Sequence, residues 1–170
     1  MRLFAVVGFA AFVLAGGAVA QEAPKPGPEH EVLKKLVGDW TATMKFAGME
    51  SKGTATYKMD LGGMWLASTY EGDFAGQKFS GKGFDSYDAG KKKYVGVWMD
   101  SMITSPMTLE GTYDKAKKTM TMAGEGPGEG GKSAKFKSIS EMPDDDTINF
   151  SMYMDDAKEP GFTIVYKRKK

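Results

Sequence analysis

From Asp39 to the C-terminus, apolar and polar residues alternate in about ten short runs, each closed by a turn rich in glycine or in aspartate and lysine. Trp40, Ala42, Met44 and Phe46 alternate with Thr41, Thr43 and Lys45. The same period of two returns in Met107, Leu109 and Tyr113, in Met120 and Met122, in Ile148, Phe150, Met152 and Met154, and in Phe162, Ile164 and Tyr166. Successive side chains of a strand point to opposite faces, so a period of two gives one apolar face and one polar face. That is the pattern of half-buried antiparallel strands. The breaks at Gly62-Gly63, Ala75-Gly76, Asp88-Ala89-Gly90, Asp144 to Asp146 and Asp155-Asp156 are turn sequences. Strands in such a relay predict an antiparallel barrel or sandwich whose business lies in its interior.

The start of the chain reads differently. Arg2 is followed by an almost wholly apolar run, Leu3 to Leu14, and Ala18-Val19-Ala20 has the small-x-small form of a cleavage site. Residues 1–20 are therefore read as a signal peptide. Residues 21–28, with three prolines and a glycine, are read as a linker. Residues 29–170 form a single β-barrel domain on this reading. Its first segment, Glu29 to Val37, places Val32, Leu33, Leu36 and Val37 at helical spacing and stops at Gly38. A short amphipathic helix that plugs or flanks one mouth of the barrel is expected.

Charge and cysteine usage narrow the partners. Removing Arg2 from the 23 basic residues leaves 22 against 22 acidic ones, so no net field draws the mature chain to nucleic acid. The absence of cysteine leaves stability to the core. An exported domain without disulfides fits a bacterial periplasm or exterior. The leader is too short and too rich in glycine and alanine for a membrane span, and none is expected after its cleavage.

Catalytic hardware is sparse. Gly126 to Ser133 has the letters of a phosphate-binding loop, but the residues after it alternate like a strand instead of opening a helix, so no nucleotide is expected. His30 is the only histidine and is expected on the surface, without the companions a metal site or a catalytic triad needs. Thirteen methionines raise the idea of thioether copper ligands, with Met99, Met102 and Met107 as one group. Filling an irregular interior is the simpler use of such a flexible side chain. The acidic runs lack the spacing of a calcium loop and are read as solvated turns. One carboxylate stands out. Asp100 follows Trp98 on the same strand face, which places an acid in an aromatic-lined cavity if that face points inward. Glu71 is the other candidate cavity carboxylate.

Several ordered motifs resemble the DUF1579 family, a set of mostly bacterial proteins of unknown function. They are Pro28-Glu29-His30-Glu31-x-Leu33, Leu36-Val37-Gly38-Asp39-Trp40, Gly62-Gly63-x-Trp65, Tyr70-Glu71-Gly72-Asp73-Phe74, Lys92 to Met102 and Leu109 to Asp114. The resemblance spans Pro28 to Lys169 and implies a calycin-like barrel, with no established activity or catalytic residue. Gly38-x-Trp40 is also similar to the head of the first strand in the lipocalin and fatty-acid-binding group. There a tryptophan at the barrel base packs against a basic residue of the last strand, which makes Arg168 the implied partner of Trp40. Haem-binding relatives among ten-stranded barrels take an axial histidine from the barrel, and this chain offers none there.

The expectation is an all-β fold: an antiparallel, calycin-like, lipocalin-like barrel of about ten strands with a short N-terminal helix. Gly38, Trp40 and Arg168 would close it. The expected function is non-enzymatic binding of a small apolar or amphipathic molecule in the interior, lined by Tyr57, Tyr70, Trp98, Asp100 and inward methionines. No cofactor or metal is expected. Two other classes stand beside it: an enzyme using Asp100 or Glu71, and an envelope structural or interaction module with a filled barrel.

Overall fold

The computed structural model describes residues 24–170 apart from Ala75, Glu129 and Gly131. The stretch read as a signal peptide, residues 1–20, and the first residues of the segment read as a linker lie outside the described residues. Ten strands follow one short helix: α1 (His30–Lys34), β1 (Gly38–Phe46), β2 (Met49–Asp60), β3 (Trp65–Phe74), β4 (Gln77–Asp88), β5 (Lys93–Asp100), β6 (Met107–Asp114), β7 (Thr119–Pro127), β8 (Ser133–Asp144), β9 (Thr147–Met154) and β10 (Phe162–Arg168). Each strand pairs antiparallel with the next, and β1 pairs with β10, so the sheet is a closed barrel. Closure leaves no edge strand to recruit another chain.

The alternation in the sequence sets which side chains enter the barrel. Residues opposed across a ladder share a face. One row therefore runs inward through Tyr57, Ser68, Gly83, Trp98 and Met107, and a second through Met59, Leu66, Asp85, Gly96 and Leu109. Trp40, Ala42 and Met44 of β1 meet Arg168, Tyr166 and Ile164 of β10 at the seam. The lysines of the strands fall on the other, solvated face, as the period of two requires.

The turns explain an internal echo between Asp88 to Lys92 and Asp114 to Lys118. Asp88 Oδ1 accepts from the backbone N–H of Lys91 at 3.0 Å, and Asp114 Oδ1 accepts from those of Ala116 and Lys117, each at 3.0 Å. Four residues after each aspartate a lysine takes the left-handed backbone conformation, Lys92 at φ 56° and Lys118 at φ 50°. Both hairpins thus use one turn chemistry. The glycine-rich segment after β7 is also a hairpin loop, closed by Gly128 N–H donating to Lys132 O at 2.7 Å. No helix follows it to present converging N–H groups to a phosphate.

The helix is shorter than the apolar spacing predicts. It ends at Lys34 because its last turn tightens, with Leu36 N–H donating to Leu33 O and Val37 N–H to Lys34 O. Leu33 inserts among Leu66, Tyr94, Met120 and Met122, so the helix closes one end of the barrel. His30 is a correction to the surface placement expected of it. It is buried at 3% exposure, its Nδ1 accepts from Gly27 N–H at 3.1 Å, and its Nε2 has no partner. The turn of chain before α1 folds under the helix and takes the ring with it.

Candidate functional site

The barrel has a sealed base and an open rim. At the base Trp40 is 1% exposed and its Nε1 donates to Leu36 O at 2.9 Å. The Arg168 guanidinium lies 4.2 Å from the centre of the Trp40 ring. It also donates to Val37 O at 2.6 Å, to Lys35 O at 2.7 Å and twice to Asp145 O. Gly38, at φ 137°, is required here, because a β-carbon would come within 2.7 Å of Arg168 Nη1. One cation thus ties the helix exit, the first strand and the last strand together.

Above this base lies a polar layer. Asp85, inward on β4, has neither a hydrogen bond nor an ion pair from any described residue. By its register it faces the barrel interior, and part of its surface stays accessible to a water-sized sphere. Tyr57 shows the same combination. Burial pushes the Asp85 carboxyl up to about 7. The Tyr57 hydroxyl is raised first by burial and then by the Asp85 charge. Burial also raises the Tyr166 hydroxyl, and the Tyr57 and Tyr166 rings meet edge to face with centroids 6.5 Å apart. The Tyr70 hydroxyl is buried without a partner.

Glycines shape the wall. A β-carbon at Gly96 would collide with the Asp85 carboxyl, and one at Gly81 would collide with the Trp98 indole. Tyr70 lies flat over Gly53 in the same way. Towards the rim the wall is apolar: Met44, Phe79, Ile164, Phe162, Phe150, Met107 and Phe136 pack with Trp98. Met49, Met102 and Met154 are exposed. A hollow of about 330 Å³ at this end is lined by Met44, Phe46, Met49 and Phe74 among others.

The structure brings Tyr57, Tyr70 and Trp98 to the interior. Asp100 stands at the rim, where its carboxylate accepts from Trp98 Nε1 at 3.0 Å and from Met102 N–H at 2.9 Å. Its role is to hold the indole. Glu71 is corrected outright: it is exposed on the outer face of β3, one residue out of phase with Tyr70. The interior carboxylate that sequence reasoning missed is Asp85. Its signal was its phase with Phe79, six residues before it, and Tyr87, two residues after it, on the same face. The methionines do not form one cluster. Met99 is exposed on the outer face, Met107 is inward, and Met120 and Met122 pack under α1. Among the described residues no three His, Asp or Glu side chains gather in metal-binding geometry, and no helix is long and apolar enough to cross a membrane. A concavity of about 950 Å³ lies on the outer face over β5 to β8 and carries lysines and acids side by side, Lys91 with Glu110 and Lys135 with Asp155.

The sequence model of a family described as "Protein of unknown function (DUF1579)" matches residues 25–168. No curated protein matches the chain. Among solved structures, that of Rv2717c from M. tuberculosis superposes with a TM-score of 0.63 at 16% identity, covering 85% of this chain and 99% of that one. At that identity the likeness is one of fold: both are barrels. A redesigned β barrel matches with a TM-score of 0.44 at 13% identity, over 82% of this chain and 96% of the other.

Proposed function

We propose that this chain, which belongs to the DUF1579 family of proteins of unknown function, binds a small amphipathic molecule inside its barrel without catalysing a reaction. The observation that carries the reading is the bare carboxyl of Asp85, which faces the barrel interior, has no hydrogen-bond or ion-pair partner among the described residues and keeps part of its surface accessible. Buried polar groups almost always find a partner. A filled barrel would have paired Asp85 or excluded it, whereas a binding chamber leaves its polar groups for water and then for a ligand. The apolar wall above, with Trp98, Phe79 and Met107, suits the ligand's hydrocarbon part, and the exposed rim methionines suit its entry.

An acid–base enzyme needs a second group that titrates near neutrality beside Asp85. The interior neighbours that act on this layer are tyrosines, whose hydroxyls burial raises further. Binding therefore fits better than catalysis. The cleavable leader pattern at residues 1–20 and the lack of cysteine support export to a bacterial periplasm or the exterior.

Native mass spectrometry on protein recovered from its own host without detergent tests the reading. An added mass of roughly a few hundred daltons, lost on denaturation, is the expected result. A bare chain mass, with no uptake of any added amphiphile, would reject it.

A further inference from the structure

We propose that the ligand carries a protonated amine and that Asp85 is its anchor; this rests on the interior-binding reading above. The charge pattern inside the barrel is the argument. Inward positions along the regular strands carry three formally charged side chains, Asp85, Asp100 and Arg168. Arg168 is committed at the base to three backbone carbonyls and the Trp40 ring. Asp100 is committed at the rim to Trp98 and Met102. Among the described residues, the interior between them therefore carries one charge without a partner, and it is negative.

An anionic head group would meet no cation there and would be repelled by Asp85. A neutral hydroxyl would satisfy Asp85 in part and leave its charge uncompensated. A protonated amine does more: it pairs with the carboxylate by charge-assisted hydrogen bonds in a desolvated setting. It also approaches aromatic faces. Tyr57 and Tyr166 meet edge to face with centroids 6.5 Å apart, and Tyr70 is close enough to act on Tyr166. An ammonium among such rings gains cation–π attraction on top of the ion pair. The elevated carboxyl of Asp85 agrees with a site in which a partner cation is the missing element. The titratable groups around this layer are Tyr57 of β2, Tyr70 of β3, Tyr87 of β4, Tyr94 of β5 and Tyr166 of β10, none of them cationic, with the imidazole of His30 buried on α1, the helix that packs on Leu66 and Tyr94.

The test uses three probes with the same tail: n-octylamine, 1-octanol and octanoate. Each is titrated into the protein at a pH one unit above neutrality, with tryptophan fluorescence and calorimetry as readouts. Octylamine is expected to bind at least about tenfold more tightly than octanol, with octanoate weakest. Asp85→Asn is expected to lose that tenfold for octylamine and to leave octanol affinity unchanged. Octanoate binding as well as octylamine, or Asp85→Asn keeping full affinity for the amine, would overturn the proposal. In that case octanol uptake would leave interior binding intact. Failure of all three probes to bind would reject interior binding itself. Should Asp85→Asn not fold, as read by circular dichroism, the rank order of the three probes on the unmodified chain decides alone.

Discussion

Asp85 and Gly96 oppose each other across the β4–β5 ladder, and the Asp85 carboxyl occupies the place a β-carbon at position 96 would need. Gly96→Ala must therefore push the carboxyl aside or bend the wall. Overpacking of this kind costs about 1–3 kcal/mol. The expected result is a lower urea midpoint with weaker ligand uptake. Shortening the partner in the same chain, Asp85→Ser with Gly96→Ala, should recover part of the loss, because residues in contact do not act additively. Strictly additive effects in that double-mutant cycle would show that the two residues do not share the space.

Asp85 also sets a pH dependence with a definite sign. In the unfolded chain an aspartate titrates near 4. In the folded barrel burial holds this one at about 7. Between those values the folded state keeps a proton that the unfolded state has lost. Stability from this group is therefore full below about pH 4 and falls as pH rises through 7, by at most about 4 kcal/mol. Glu50, Glu110 and Asp144 run the other way, since lysine partners or hydrogen bonds lower them, and their effect is confined to acid pH. Urea unfolding between pH 5 and 8.5, run on the native chain and on Asp85→Asn side by side, therefore reads Asp85 by difference. The native chain should lose stability across that range and Asp85→Asn should lose much less. Parallel profiles for the two would contradict the assignment.

The closing seam makes a third prediction. Arg168 holds Trp40 from above and the carbonyls of Lys35, Val37 and Asp145 at its edge. A lysine has a point charge and no planar fork, so it cannot stack and donate along several directions at once. Arg168→Lys should cost about 2 kcal/mol and Arg168→Ala more, since carbonyls at the helix exit are then left unpaired. The loss should appear in thermal unfolding without a change in probe preference, because neither Arg168 nor Trp40 pairs with Asp85. A thermal midpoint unchanged in Arg168→Ala would mean the seam is held by the ladder alone.

These sites differ in how visible they were before the structure. The strands were legible because the period of two is carried by strongly apolar residues, as in Trp40, Ala42, Met44 and Phe46. The Trp40–Arg168 pairing was legible only through resemblance, since 128 positions separate the two and no local pattern joins them. Asp85 was obscured by its own strand. Its inward face reads Phe79, Gly81, Gly83, Asp85, Tyr87, and the outward face carries Phe84, so glycine and a stray aromatic blur the alternation. The glycines are there because Trp98 needs the space over Gly81, a tertiary reason invisible in one strand. Glu71 was misplaced for the opposite reason: it is adjacent to Tyr70, and adjacency in a strand means opposite faces. His30 shows a further limit. Its burial depends on the chain from Gly27 folding under α1, which no periodicity reports.

Trp98 and Asp100 supply the last prediction. The indole lies over Gly81 and donates its Nε1–H to Asp100, so the carboxylate fixes the ring at the entrance to the chamber. Asp100→Ala removes the acceptor and frees the ring, at a stability cost of about 1 kcal/mol. Asp100→Asn keeps an acceptor oxygen and should leave the ring in place. The indole N–H resonance of Trp98, assigned by its absence in Trp98→Phe, should move and broaden in Asp100→Ala and stay close to its native position in Asp100→Asn. In ligand titrations Asp100→Ala should change the rate at which octanol and octylamine enter while preserving the ranking between them. Loss of the amine preference in Asp100→Ala, with Asp85 intact, would move the charged anchor from the chamber to the rim.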